Sequence, residues 1–170
     1  MNGNLDFATS LLKQGATVTL QTTQGDIKIK LFTEEAPKNA ENFYALAKGG
    51  KYNDTIFHRV IDGFMIQGGD YENADGTGGR AYKALYLADE FSEKLSHKRG
   101  MVSMANKGPD TNASQFFIVQ KDSTFLDGRH TIFGEVVEGM EVVDAIAKAR
   151  VDEQDRPVRE IKINRAIPKN

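Results

Sequence analysis

The segment FHRVIDGFMIQGGD, at residues 57–70, contains two short runs rich in β-branched and aromatic residues, a composition typical of β-strands. Most of its side chains are apolar, so it resembles protein core, yet Arg59 lies among them and Gln67 follows closely. Arginine is rarely buried without a partner, and its guanidinium cannot act as a base at ordinary pH. The segment therefore predicts paired strands and poses a chemical problem. It sets a cation beside an amide in apolar surroundings, with no evident nucleophile.

Short runs of the same kind lie on both sides of this segment. Residues 17–22 and 25–31 alternate apolar and polar side chains, which predicts a hairpin with one buried face. The other candidate strands are GMVSMAN, QFFIVQ, TIFGEVV and REIKINRAI. Together with the two runs of the first segment they make about eight strands. Because strands and helices do not alternate along the chain, we expect an antiparallel barrel or sandwich rather than a doubly wound parallel sheet.

Two segments have the apolar periodicity of amphipathic helices. In the first, the apolar face consists of Ala40, Phe43, Tyr44 and Ala47. In the second, it consists of Met140, Val143, Ile146 and Ala147. A further short helix is suggested near the N-terminus by Leu5, Ala8, Leu11 and Leu12. We divide the chain into an N-terminal extension, residues 1–16, and a single domain, residues 17–170.

The composition is that of an ordinary soluble globular protein, with 39% apolar and 27% charged residues. The net charge of -2 argues against a nucleic-acid-binding protein, which usually has a basic surplus or stripe. The chain has no cysteine, which excludes disulfides, thiolate nucleophiles and cysteine metal sites. No stretch approaches the roughly 18 apolar residues of a membrane span, and the first residues lack a signal-peptide pattern. We therefore expect a cytoplasmic protein without nucleic-acid or membrane partners.

The familiar motifs of phosphate, nucleotide and metal sites are missing. There is no G-x-x-x-x-G-K-[ST] loop, and the Gly-rich residues 68–80 lack the spacing of a dinucleotide fingerprint. A calcium loop of the EF-hand type starting at Asp70 fails because Glu72 and Ala74 occupy ligand positions. The histidines form no H-E-x-x-H pair, and there is no G-x-S-x-G elbow. We therefore expect residues 68–80 to form a surface loop, and we expect an activity without cofactor or metal.

What remains is a set of hydrogen-bonding side chains within apolar segments. The polar members are Arg59, Gln67, Asn106, Gln115 and His130. The apolar members are Phe64, Met65, Phe117, Phe125 and Leu126. Each of these residues, taken alone, is more often a core or surface residue than part of a binding site. Their significance therefore depends on the segments in which they occur together.

Four segments in combination resemble the cyclophilin family of peptidyl-prolyl cis/trans isomerases. They are FHRVIDGFMIQGGD, DGTGG, SMANKGPDTNASQFFI and FLDGRHTIFGEVVEGMEVVDAI, in the same order and at similar spacing as in the family. The resemblance covers roughly residues 17 to 167. It implies an all-β fold, a closed eight-stranded antiparallel β-barrel with a capping helix at each end, and a substrate groove on the outer surface. It also implies acceleration of the rotation about X-Pro bonds, which assists protein folding.

The resemblance assigns roles to the residues that match the family's motifs. The implied catalytic positions are Arg59, Gln67 and His130. The implied substrate-binding positions are Phe64, Met65, Gly76, Ala105, Asn106, Lys107, Gln115, Phe117, Phe125 and Leu126. The pocket for the proline ring is implied to consist of Phe64, Met65, Phe117 and Leu126. The implied partners are proline-containing peptides and client proteins, and we expect a monomer.

Two positions depart from the family's pattern. Phe125 stands where the family often has tryptophan, so an indole N–H donor is lost. We expect this change to weaken binding of cyclosporin A while isomerase activity is retained. Lys107 follows Asn106 at a position that is often small in the family. We expect it either to favour acidic residues before the proline or to be a solvated lysine.

Two other functions remain open at this point. A binding module would recognise proline peptides but turn them over slowly, although the intact set of implied catalytic and pocket residues favours the enzyme. A small-ligand barrel of the lipocalin type would instead have an open interior cavity, which a filled core would exclude.

Overall fold

The computed structural model of the chain describes residues 12–170. The strands in this range are β1 (Thr17–Thr22), β2 (Gly25–Leu31), β3 (Thr55–Ile56), β4 (Arg59–Ile61), β5 (Met65–Gly68), β6 (Met101–Met104), β7 (Phe116–Val119), β8 (Ile132–Glu138) and β9 (Lys162–Lys169). The helices are α1 (Pro37–Lys48), a 3-10 helix (Thr124–Leu126) and α2 (Met140–Ala147). The predicted N-terminal helix falls mainly on residues 1–11, which lie outside the described residues.

The predicted hairpin is formed by β1 and β2, whose residue pairs run from Thr17–Lys30 to Thr22–Gly25. The connection can be this tight because Gly25 has a φ of +129°, which residues with a Cβ rarely adopt. Thr22 also donates its hydroxyl to the carbonyl of Gly25 at 2.6 Å. Val18, Leu20, Ile27 and Ile29 are fully buried, so the alternating pattern places one face of the hairpin in the core.

The sheet closes on itself through a single segment of the chain. Its strand order is β3-β9-β1-β2-β8-β6-β7-β5-β4, and every pair is antiparallel. The two terminal strands in this order, β3 and β4, are separated in the chain only by Phe57 and His58. This segment therefore pairs with β9 on one side and β5 on the other, which confirms the closed antiparallel barrel. The described residues contain nine strands rather than eight because the segment is divided in two.

The interior of the barrel is filled with apolar side chains. The fully buried ones include Val18, Leu20, Ile27, Ile29, Phe43, Ile66, Phe116, Ile118 and Phe133. The ring of Phe43 lies 5.1 Å from that of Phe116 and 4.8 Å from that of Phe133, which are close-packed separations for aromatic pairs. Among residues 12–170 this packing leaves no room for the open interior of a lipocalin-type barrel, so that alternative is excluded.

The two α-helices pack against different groups of strands, α1 against β1, β8 and β9, and α2 against β2, β4 and β5. The buried apolar residues of α1 are Ala40, Phe43, Leu46 and Ala47, with Tyr44 partly buried beside them. Those of α2 are Val142, Val143, Ile146 and Ala147, with Met140 partly buried. The two predicted amphipathic helices are therefore confirmed. Neither of them, nor the 3-10 helix, is long and apolar enough to cross a membrane, within the part of the chain that the structure describes.

Candidate active site

The outer face of β5 and β7 forms the floor of an apolar pocket. On these strands Ile66 and Ile118 belong to the barrel core, whereas their neighbours Met65, Phe117 and Val119 form a separate buried cluster. The reason is that successive side chains of a strand point to opposite faces of the sheet. Met65 is paired directly with Val119, which joins the two strands into one continuous apolar surface.

Partly buried side chains from neighbouring segments form the walls of this pocket, namely Ile61, Phe64, Met101, Ala105 and Leu126. Phe64 comes from the turn between β4 and β5, and Leu126 comes from the 3-10 helix. Phe125 is 68% exposed, and its ring centre lies 5.7 Å from that of Phe64. Phe125 therefore stands at the rim, while the four residues predicted to receive the proline ring lie together.

Arg59 lies beside this pocket at the outer end of a chain of side-chain hydrogen bonds. It is paired with Gln67 across β4 and β5, and Gln67 is paired with Phe117 across β5 and β7. Arg59 Nη1 donates to Gln67 Oε1 at 3.4 Å, and Gln67 Nε2 donates to Gln115 Oε1 at 3.0 Å. Gln115 Nε2 donates to two backbone carbonyls of residues 76–78, at 2.9 and 2.8 Å. The exposed guanidinium is thus linked through two amides to the Gly-rich loop.

The Gly-rich loop is organised around Asp70, which is only 2% exposed. Its carboxylate accepts backbone N–H groups at 2.9 to 3.2 Å from Glu72, Asn73, Asp75, Gly76 and Gly78. Burial raises the pKa of this carboxyl, but the backbone donors outweigh it and lower the pKa to about 2. The sequence interpretation considered Asp70 only as a calcium ligand and missed this role. The available signal was an aspartate before a Gly-rich run, whose backbone N–H groups need an acceptor.

Gly76 allows this loop to approach the barrel closely. Its φ is +95°, and a Cβ at this position would lie 2.9 Å from Nε2 of His58. His58, which was not predicted as a site residue, is buried, and its burial lowers its pKa while the charge of Asp70 opposes that shift. A cavity of about 450 Å³ opens here, lined by His58, Arg59, Gln67, Asp75, Gly76, Asp152, Gln154 and Arg156.

A second cavity, of about 250 Å³, lies between the Gly-rich loop and the segment after β6. The predicted site residues that line it are Gln67, Gly76, Ala105, Asn106, Lys107 and Gln115. The backbone N–H of Ala105 donates to the carbonyl of Gln115 at 3.1 Å, which joins the two walls. The amine of Lys107 donates to the carbonyl of Thr77 at 3.4 Å. This bond crosses the cavity from the segment after β6 to the Gly-rich loop and places a positive charge there.

His130 borders the apolar pocket next to Phe117, with the two ring centres 5.4 Å apart in an edge-to-face arrangement. Its Nδ1 lies 2.8 Å from the carbonyl oxygen of Met104. A carbonyl can only accept, so Nδ1 is the donor in this contact. Asn106 donates its side-chain amide to the carbonyl of Arg129 at 2.8 Å, which fixes the segment next to His130.

Behind Phe117 lies His97, a fully buried residue that was not among the predicted site residues. Its ring is stacked on Phe117 at 5.9 Å. Its Nδ1 lies 2.7 Å from a carboxylate oxygen of Asp127, and its Nε2 lies 2.8 Å from the hydroxyl of Ser103. Burial lowers the pKa of His97, and the bond to Asp127 opposes that shift. His97 therefore supports Phe117, the floor of the pocket, and both of its ring nitrogens are hydrogen-bonded.

The predicted site residues thus line two cavities and the apolar pocket or contact its walls, with Gln67 bordering both cavities. Their individual roles stay predictions. Within residues 12–170 no group of three or more histidine, aspartate or glutamate side chains is placed to hold a metal ion.

Comparison with known proteins identifies the family. The family model for cyclophilin type peptidyl-prolyl cis-trans isomerase/CLD matches residues 17–167. The chain is 51% identical over 150 residues to peptidyl-prolyl cis-trans isomerase CYP18-1 of Arabidopsis thaliana, covering 88% of this chain and 93% of that protein. It is 49% identical over 155 residues to peptidyl-prolyl cis-trans isomerase CYP71 of the same plant, covering 90% of this chain but 24% of that longer protein.

A solved structure has the same fold. A cyclophilin type peptidyl-prolyl cis-trans isomerase of Cryptosporidium parvum matches with a TM-score of 0.87 and 39% identity, covering 91% of this chain and 97% of that one. The same parasite protein was also solved in the presence of the dipeptide Ala-Pro. The chain therefore belongs to the cyclophilin family, whose members are peptidyl-prolyl cis-trans isomerases.

Proposed function

We propose that this isomerase uses Arg59 to stabilise a twisted X-Pro amide while the neighbouring apolar pocket holds the proline ring. The observation that carries the proposal is the position of the guanidinium. It is exposed, it is steadied by the Gln67–Gln115 chain, and it stands next to a pocket whose floor is Phe117. The test is the rate of cis/trans exchange of a short X-Pro peptide, with Arg59→Ala as the variant.

The reaction requires no nucleophile because no covalent bond is broken. Rotation about a peptide bond is opposed by its partial double-bond character, with a barrier of about 18–20 kcal/mol. As the amide twists, its resonance is lost, and the prolyl nitrogen becomes pyramidal and regains a lone pair. A guanidinium placed beside that nitrogen donates to a lone pair that is absent in the planar ground state. Such an interaction lowers the barrier because it is made only in the transition state.

The size of this contribution indicates what else the groove supplies. A hydrogen bond to a charged group contributes about 1.5–3 kcal/mol, and each tenfold in rate requires about 1.36 kcal/mol. Arg59 alone therefore accounts for a rate increase of about 10- to 100-fold. The remainder is assigned to the pocket of Phe64, Met65 and Phe117, which fixes the proline ring while the preceding part of the amide turns, and to partial exclusion of water.

The alternative function is a module that binds proline peptides with low turnover. The cyclophilin family binds proline-containing peptides, and the Cryptosporidium parvum relative was solved with Ala-Pro present. Binding alone does not require a cation held beside the pocket, which is why the geometry around Arg59 favours catalysis. A peptide that binds this chain without faster exchange would support the alternative.

Lys107 is expected to set a preference for acidic residues before the proline. Its amine lies at the cavity beside Gln67, and exposed charge pairs contribute about 0.2–1 kcal/mol, or up to about fivefold. The wild type should favour a Glu-containing peptide over the matched Lys peptide, and Lys107→Glu should reverse the order. The measurement is kcat/KM for both peptides at low and high salt.

The matched control is Lys169→Glu, which makes the same charge change at an exposed position in β9. If Lys107→Glu changes the peptide preference no more than Lys169→Glu does, Lys107 is a solvated lysine and the specificity role is wrong.

Phe125→Trp is expected to strengthen cyclosporin A binding by about fivefold, because an added hydrogen bond contributes about 1 kcal/mol. The substitution restores an indole donor at the rim of the pocket, where Phe125 is 68% exposed and space is not limiting. Isomerase activity should change little, since the floor and walls are untouched. Titration calorimetry measures the affinity, and Tyr82→Trp serves as an exposed control. Equal affinity of Phe125→Trp and wild type would show that the missing donor is irrelevant.

A further inference from the structure

The turn between β4 and β5 carries one wall of the proline pocket. It consists of Asp62, Gly63 and Phe64, and the first two of these residues are exposed to solvent. Within the turn, the backbone N–H of Phe64 donates to the carbonyl of Ile61 at 3.1 Å. Segments with exposed backbone hydrogen bonds and few buried contacts are the parts of a fold that open most easily. The orientation of Phe64 therefore depends on what holds the turn from outside.

Gln120, the residue directly after β7, contacts all three residues of this turn. Its Oε1 accepts the backbone N–H of Gly63 at 2.6 Å, and its Nε2 donates to the carboxylate of Asp62 at 3.1 Å. Its own backbone N–H donates to the carbonyl of Phe64 at 2.8 Å. One amide side chain thus accepts from the N–H of Gly63 and donates to the carboxylate of Asp62. Both the carbonyl oxygen and the NH₂ group of a glutamine are needed for this.

The position of Gln120 is itself fixed from the other side. Arg99 donates through Nη1 to the backbone carbonyl of Gln120 at 2.9 Å. The same guanidinium forms a two-bond pair with the carboxylate of Asp144 in α2, at 2.8 and 2.7 Å. Asp144 also accepts from Nε2 of Gln120 at 3.4 Å. The turn is therefore connected through Gln120 to a helix and to the segment before β6.

We infer that Gln120 is a positioning residue that holds Phe64 in the orientation in which it contacts the substrate proline. The inference rests on the proposed function, since it assumes that the proline ring occupies the pocket of Phe64, Met65 and Phe117. Gln120 itself is only partly buried and lies outside that pocket. Its effect is exerted through the turn, so it changes substrate binding rather than the stabilisation of the twisted amide by Arg59.

The first test is Gln120→Leu, which keeps the approximate shape of the side chain and removes its hydrogen bonds. We expect KM for a short X-Pro peptide to rise about fivefold with kcat within about twofold, the pattern of lost uniform binding. The amide resonance of Gly63 should move upfield in NMR spectra as its bond to Oε1 is lost. Gln24→Leu is the matched control, since that glutamine is exposed in the β1–β2 turn and remote from the groove.

The second test is the pH profile of Gln120→Glu. Ionised, the new carboxylate faces Asp62 and Asp144 and repels both. The neighbouring Arg99 already forms two bonds to Asp144, so the repulsion prevails and the turn is released. Protonated, it regains a donor while its other oxygen still accepts from Gly63. The ratio of variant to wild-type kcat/KM, measured by NMR exchange, should therefore recover at least twofold between pH 8 and pH 5. A role confined to packing predicts a ratio that does not change with pH.

The outcomes separate this inference from the proposed function. If wild type accelerates exchange but Gln120→Leu keeps the wild-type KM, the positioning role is wrong. The role is also wrong if the ratio of Gln120→Glu to wild-type kcat/KM does not change between pH 8 and pH 5. If wild type does not accelerate exchange, the proposed function is wrong. The peptide dissociation constant from NMR titration then still tests Gln120, because loss of the Phe64 wall must weaken binding even without turnover. Unchanged affinity in Gln120→Leu would overturn the inference in that case as well.

Discussion

Arg59→Ala is expected to lower kcat/KM for a short X-Pro peptide by about 10- to 100-fold, because a hydrogen bond to a charged group contributes about 1.5–3 kcal/mol and each tenfold in rate requires about 1.36 kcal/mol. The loss should fall on kcat, since the interaction exists only in the twisted amide. The fold should be unaffected. Arg59 is exposed and its hydrogen bond to Gln67 is long, at 3.4 Å, so stability should change by less than about 0.5 kcal/mol. NMR exchange spectroscopy of the peptide gives the rate directly.

Two controls make this result specific. Arg159→Ala removes an exposed arginine that lines neither cavity of the candidate site, and it should leave the rate unchanged. Arg59→Lys keeps the positive charge but loses the planar fork, so it should recover only part of the lost rate. Binding of the peptide, followed by chemical shift changes, should persist in Arg59→Ala because the pocket of Phe64, Met65 and Phe117 is intact. A variant that retains the wild-type rate would remove Arg59 from the mechanism.

The alternation of side chains along short strands predicted the barrel because it reports which face of a strand is buried. Ile66 and Ile118 lie inside the barrel, and their neighbours Met65 and Phe117 lie on its outer face. The same pattern could not reveal that the segment from Thr55 to Ile61 would divide into two strands. Both halves have the composition of a strand, and the division depends on pairing with two different partners, β9 and β5. Such pairing joins segments that are distant in the sequence, so it cannot be recognised from local composition.

Site residues could be predicted from the sequence only where they lie within a family motif. Arg59, Gln67 and Gln115 were named from their segments, but the hydrogen bonds that join them depend on the register of β4, β5 and β7. His97 was not named because it meets Phe117 only after the segment before β6 has packed against β7. Family motifs identify residues in contact with substrate, whereas the residues that support them are selected by packing and hydrogen bonding. Those interactions are properties of the folded chain.

Asp70→Asn is expected to lower the free energy of unfolding at pH 7 by on the order of 3 kcal/mol, since hydrogen bonds to a charged group contribute about 1.5–3 kcal/mol each. The carboxylate accepts five backbone N–H groups, and an asparagine offers one acceptor oxygen while turning a competing donor towards the others. Activity should fall about tenfold as well, because misplacement of a supporting loop reaches the catalytic group. The connection is Gln115, which donates to that loop and accepts from Gln67, the partner of Arg59.

The pH dependence of this difference distinguishes a carboxylate role from simple packing. The pKa of Asp70 is lowered from 3.8 to about 2 in the folded chain, so the unfolded chain binds the proton more readily. The stabilisation is therefore fully present above about pH 4 and is lost as the pH falls towards 2. The gap in unfolding free energy between wild type and Asp70→Asn, measured by urea titration, should narrow between pH 5 and pH 2. Asp26→Asn, at an exposed position in the β1–β2 hairpin, should lie close to wild type throughout. A gap that stays constant down to pH 2 would mean that Asp70 acts through its shape and not its charge, and the five backbone donors would then not explain the order of the loop.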